Sequence, residues 1–110
     1  MVETVPIVQA GSTHVYYTYV VQVPERSQFR DRLQQVGIAT GIHYPVPLHL
    51  QAACAPYAYR QGQLPVTEAV AERIVSLPIY PELTEEQLQA VISGVKNSVP
   101  CTSKKRNTFK

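Results

Sequence analysis

His43 and Tyr44 stand immediately before Pro45-Val46-Pro47. A residue that precedes proline is driven out of the helical region, so the pair lies at the mouth of a stiff, extended loop. An imidazole and a phenol held there can hydrogen-bond hydroxyl or phosphate groups with little loss of conformational freedom. The same side chains would equally cap a strand end. His49 follows on the same loop, where bonding to loop backbone is its expected role. A metal centre would need a third ligand such as Cys54 or His14, and no zinc-type spacing links these residues, so no metal is expected. Tyr57, Tyr59 and Arg60 offer a stacking surface for a base or a sugar, or else the packing of a long loop onto the core. Glu68 and Glu72 are one helical turn apart, but their face reads as solvated, which argues against paired-carboxylate catalysis. No Gly-rich phosphate loop and no Ser/His/Asp set are legible, and no catalytic residue is assigned.

The elements that must position these groups follow from periodicity and punctuation. His14–Val23 is almost wholly β-branched or aromatic and reads as a central strand. Ser27 reads as the N-cap of a helix lined by Phe29, Leu33 and Val36, with Gly37 beyond its end in the left-handed conformation. Ile38–Tyr44 reads as a second strand, in which Gly41 marks a bulge or a close backbone approach. Leu48–Cys54 reads as a short helical turn. Pro65 opens a helix with Ala69, Val70, Arg73, Ile74 and Leu77 inward, and a third strand is expected over 77–80. Thr84-Glu85-Glu86-Gln87 is a capping box, followed by the stripe Leu88, Val91, Ile92, Val95. The order β-α-β-(loop)-α-β-α predicts an α+β fold. It would have a small, three-stranded, mainly antiparallel sheet with helices packed on one face. The expected organisation is an irregular lead-in over 1–13, a domain over 14–97, and a basic, disordered tail over 98–110.

The formal charge of +2 is unevenly placed. Lys104, Lys105, Arg106 and Lys110 carry the tail, whereas the rest of the chain is mildly acidic. A nucleic-acid binder would place its charge on the folded face, so no nucleic-acid partner is expected. No apolar run is long enough to cross a bilayer and no signal peptide is legible, which predicts a cytoplasmic protein without a membrane partner. Cys54 and Cys101 are expected to remain reduced thiols.

The stretch Thr40-Gly41-Ile42-His43-Tyr44-Pro45-Val46-Pro47-Leu48-His49-Leu50-Gln51 resembles the DegT/StrS sugar aminotransferase family. So do Leu64–Ala69 and Leu77–Thr84, in the same order and spacing. The resemblance covers residues 14–97. It implies the small C-terminal domain of an enzyme with the aspartate-aminotransferase fold, which works as a dimer. Such enzymes move an amino group onto a keto group of a nucleotide sugar, using pyridoxal phosphate. It implies that His43, Tyr44 and His49 are contacts to that substrate. The family's cofactor lysine, phosphate-binding segment and pyridine-facing aspartate belong to a large domain, and no residue here matches them. The expectation is therefore that the chain binds no cofactor alone and is inactive by itself. Its expected partners are a large aminotransferase domain or a second copy of itself, and a nucleotide sugar. The alternatives are a nucleotide-sugar-binding or dimerising module that reuses the fold, or one half of a split enzyme.

Overall fold

The computed structural model describes residues 2–98. Its elements are β1 (Tyr19–Gln22), α1 (Arg26–Gln35), two 3-10 turns (Leu48–Leu50 and Ala52–Tyr57), α2 (Pro65–Arg73), β2 (Ile74–Leu77) and α3 (Glu85–Ser98). The fold is α+β. β1 and β2 are antiparallel, with Tyr19 opposite Leu77 and Val21 opposite Val75. Val21 and Val75 share a face that α1 and α3 cover through Phe29, Leu33, Val91 and Val95. Leu33, Val23 and Val75 are fully buried; each contributes roughly 1.5–3 kcal/mol by leaving water.

The expected second strand is absent from the sheet. Of residues 38–44 only Gly41 pairs, through an isolated antiparallel bridge to Ser76. The chain turns immediately afterwards, and the prolines at 45 and 47 offer no donors to extend a ladder. A second isolated bridge, Thr4 to Gln22, borders the opposite edge, so part of the expected irregular lead-in is tied down.

β1 is shorter than the β-propensity of residues 14–23 predicts. Tyr16 adopts φ +47°, and its N–H donates to His14 Nδ1 at 2.7 Å. That local side-chain bond competes with a ladder bond and breaks the strand. The strand placed at 77–80 instead runs over 74–77. Val23 N–H takes the carbonyl of Arg73, which ends α2 earlier than its apolar spacing suggests, and Pro78 then stops the ladder. Ile74 and Leu77 are strand residues, not part of a helical stripe. Among the described residues, α1 and α3 are the helices on the Val21/Val75 face; Val70 of α2 lines a depression with Val20, Gln22 and Ile74.

The helix ends follow local chemistry. Ser27 lies inside the first turn of α1, and Glu25 occupies the cap position without a side-chain bond. At the other end, Ile38 N–H reaches Leu33 O and Gly37 N–H reaches Gln34 O. This is a Schellman motif, and Gly37 supplies its left-handed residue at φ +80°. Pro65 holds the first position of α2. At α3, Gln87 N–H donates to Thr84 Oγ1 and Thr84 N–H to Gln87 Oε1, the expected capping box. Ser98 belongs to α3; the basic tail and Cys101 lie outside the described residues. Cys54 is a free thiol.

Candidate functional site

The loop from Gly41 to Gln51 carries the three histidine and tyrosine positions singled out from sequence. β2 fixes its entry. Gly41 N–H donates to Ser76 O at 3.0 Å, and Ser76 N–H donates to Gly41 O at 2.9 Å. Its exit is held by Gln51 Nε2, which donates to Val46 O at 3.3 Å, and by the 3-10 turn over Leu48–Leu50.

His43 folds back over the entry. Its Nδ1 lies 2.8 Å from Ser76 Oγ, and its ring lies against Gly41, where a Cβ would approach Cε1 to 2.8 Å. Tyr44 meets the His43 ring edge-on at 5.5 Å but remains 66% exposed. The two face different depressions. His43 lines a shallow cleft of about 440 Å³ with Tyr17, Thr18, Ser76 and Tyr80. Tyr44 lines an apolar groove with Val46, Leu48, Val66 and Val70.

His49 points inward. It is buried, and its Nε2 lies 3.0 Å from Glu68 Oε1. The expected bond to loop backbone is replaced by this carboxylate. Glu68 in turn accepts the Gly62 N–H at 2.8 and 2.9 Å and the Leu64 N–H at 3.2 Å. The expectation of a solvated face at Glu68 is thus corrected: its side chain is 15% exposed, while Glu72 is exposed. The Gly62 amide first, and then His49, hold the Glu68 carboxyl below its ordinary value, against the opposing effect of desolvation. An acid in the first turn of a helix capped by Leu64, which has no side-chain oxygen, was the sequence signal for this clamp.

Tyr59 stands edge-on to His49 at 6.1 Å, and Tyr57 is exposed. Arg60 is exposed, with its N–H on Gln63 Oε1. The structure therefore gathers Tyr59 with His49 and Glu68, and His43 with Ser76. It does not gather His43 and His49 on one site. Nothing in the sequence marks Ser76 as a site residue, because a serine in a strand carries no motif of its own. No cluster of three or more His, Cys, Asp or Glu that could hold a metal is present among the described residues.

The profile of the DegT/DnrJ/EryC1/StrS aminotransferase family matches residues 2–96. The chain belongs to this family. A pleiotropic regulatory protein of Geobacillus stearothermophilus is 44% identical over 77% of the chain and 23% of its own length. The dTDP-3-amino-3,4,6-trideoxy-alpha-D-glucose transaminase of Micromonospora megalomicea is 39% identical over 86% of the chain and 25% of its own length. Among solved structures, DesV of S. venezuelae in complex with a ketimine intermediate superposes with a TM-score of 0.77 at 34% identity. It does so over 86% of this chain and 26% of that one. The chain thus spans about a quarter of the relatives it matches.

Aminotransferases use pyridoxal phosphate, which needs an amine to form an imine, an acid at the ring nitrogen and an anchor for its phosphate. Among the described residues the one lysine is Lys96, exposed near the end of α3. The groove it lines is otherwise aliphatic apart from Tyr19, and it holds no acid and no arginine. The groove around Lys96 therefore does not fit pyridoxal phosphate. No helix among them is long and apolar enough to cross a membrane.

Proposed function

We propose that this chain is the C-terminal small-domain part of a pyridoxal-phosphate-dependent nucleotide-sugar aminotransferase, and that it lends its Gly41–Gln51 loop to the nucleotide-sugar site. The observation that carries this reading is the restrained loop itself, on a chain whose relatives include nucleotide-sugar aminotransferases. His43 and Tyr44 are the ligand contacts. His49 supports the loop from behind through Glu68 rather than touching the sugar. Tyr59 braces His49, which leaves Tyr57 and Arg60 as the outward part of the neighbouring surface.

In this reading transamination requires a lysine-bearing domain, from the same polypeptide or from a partner. The apolar groove of Tyr44, Val46, Leu48 and Val66 is the surface such a domain would cover. The setting is cytoplasmic. Titration of the full chain with dTDP-glucose, followed through the His43 and Tyr44 side-chain resonances, tests the loop's role. Shifts confined to residues 41–51 and the cleft around His43 are expected. Unmoved resonances at millimolar ligand refute it.

The exposed groove also favours a second reading, a module that pairs with itself. Light scattering at high protein concentration separates the two, since a dimerising module gives a doubled mass and a lone small domain does not.

A further inference from the structure

We infer that Ser76 and Gly41 are positioning residues for His43, holding its ring as the Nε2–H tautomer with that N–H presented to the cleft as a donor. The inference rests on the proposed reading that His43 faces a ligand. It adds which ligand atoms the ring takes: acceptors such as phosphoryl or carbonyl oxygens.

Ser76 lies in β2 opposite Val20 and is 5% exposed. Its backbone N–H and carbonyl are both taken by Gly41. Among the described residues, the partner of its hydroxyl is His43 Nδ1, at 2.8 Å. A hydroxyl carries one proton, and a neutral imidazole carries one as well. If Nδ1 held the ring proton, Ser76 would have to accept from it. Its own proton would then find no protein acceptor among the described residues. That arrangement is disfavoured by about tenfold or more. The remaining arrangement has Ser76 donating to Nδ1, which places the ring proton on Nε2.

Gly41 sets the plane of the ring. A Cβ at this position would stand 2.8 Å from Cε1, 3.4 Å from Nδ1 and 3.7 Å from Nε2. The imidazole therefore lies over the bare Cα, and any side chain at position 41 would lift it off Ser76. The backbone pairing of Gly41 with Ser76 ties the ring's seat and its hydrogen-bond partner into one unit. The two residues act through His43 and need not touch a ligand.

The test is a long-range proton–nitrogen correlation of the histidine rings in the full chain without ligand. It is recorded at about pH 8.5, well above the ordinary imidazole value of about 6.5. His43 is assigned by the disappearance of its signals in His43→Gln. The expected wild-type pattern has Nδ1 at the unprotonated position and Nε2 at the protonated one. Ser76→Ala should reduce the tautomer preference by about tenfold, pulling the two nitrogen shifts together. Ser76→Thr, which keeps the hydroxyl, should restore them, and a purely structural role for Ser76 would not produce that rescue.

A wild-type ring protonated at Nδ1, or an even mixture of tautomers, overturns the inference; so does a Ser76→Ala spectrum identical to wild type. If Ser76→Ala fails to fold, Ser76→Cys, whose thiol is a weaker donor, takes its place with the same expected loss of preference. Because no ligand is present, a failure here and a failure of the dTDP-glucose titration are distinguishable: the first overturns the tautomer, the second the ligand that it would serve.

Discussion

Gly94 of α3 lies against the end of α1, and adding a single methyl group there measures how tightly the two helices meet. A Cβ at this position would collide with Ile38 Cδ1 and stand 3.3 Å from Leu33 Cδ2 and 3.6 Å from Val36 Cγ2. Ordinary carbon contacts are about 3.5–4.0 Å, so the Ile38 methyl must retreat by about 1 Å. It has little room, because Ile38 is buried and Leu33 is fully enclosed. Overpacking of this kind costs about 1–3 kcal/mol, while replacing a helical glycine by alanine returns about 1 kcal/mol. Gly94→Ala should therefore destabilise the chain by about 1 kcal/mol and lower Tm by about 4–6 °C in thermal melts followed by circular dichroism.

A second substitution isolates the cause. Ile38→Val alone removes the colliding methyl from an intact core and costs about 0.5–1.5 kcal/mol. In the Gly94→Ala background the same change removes the clash, so it should be neutral or stabilising. The double-mutant cycle should show a favourable coupling of about 1 kcal/mol. If the two effects simply add to within about 0.5 kcal/mol, or if Gly94→Ala raises Tm, the close approach of α1 and α3 is refuted.

Thr84→Ala removes one half of the α3 capping box and should cost about 1 kcal/mol in urea unfolding, whereas Glu85→Ala, which takes no part in that box, should cost less. Gly37→Ala forces an ordinary residue into φ +80°; it should cost about 1–2 kcal/mol, and Gly37→Asn less, by the same measurement. Glu68 has a carboxyl held below its ordinary value of 4.5 by the Gly62 amide and His49. As pH falls, the unfolded chain binds this proton first. The stabilisation is thus fully present above the ordinary value and is lost as pH drops through the lower folded value. Glu68→Gln should flatten that acid limb of the stability curve and speed hydrogen exchange at the Gly62 amide; an unchanged limb would count against the clamp.

The features legible in the sequence were those written in local chemistry. Thr84 and Gln87 announce a capping box, Gly37 announces a helix end, and Pro65 announces a helix start, because each acts on residues within a turn of itself. The strands were less legible. Residues 14–18 have strand composition, yet His14 captures the Tyr16 amide and turns the chain. Residues 38–44 look extended, yet they contribute one paired residue, because His43 returns to Ser76 from 33 positions away. The site divided in the same way. The prolines around residue 46 pointed to a stiff loop. That His43 faces outward while His49 faces inward depends on Ser76 and Glu68, which are distant in sequence and carry no motif.

The loop that bears His43 is fastened at both ends, by Ser76 at Gly41 and by Gln51 at Val46. A molecule arriving there meets a shape already in place, and little freedom is left to be lost on contact. If the loop receives a nucleotide sugar as proposed, discrimination between similar sugars should then appear in how long each one stays rather than in how fast it arrives.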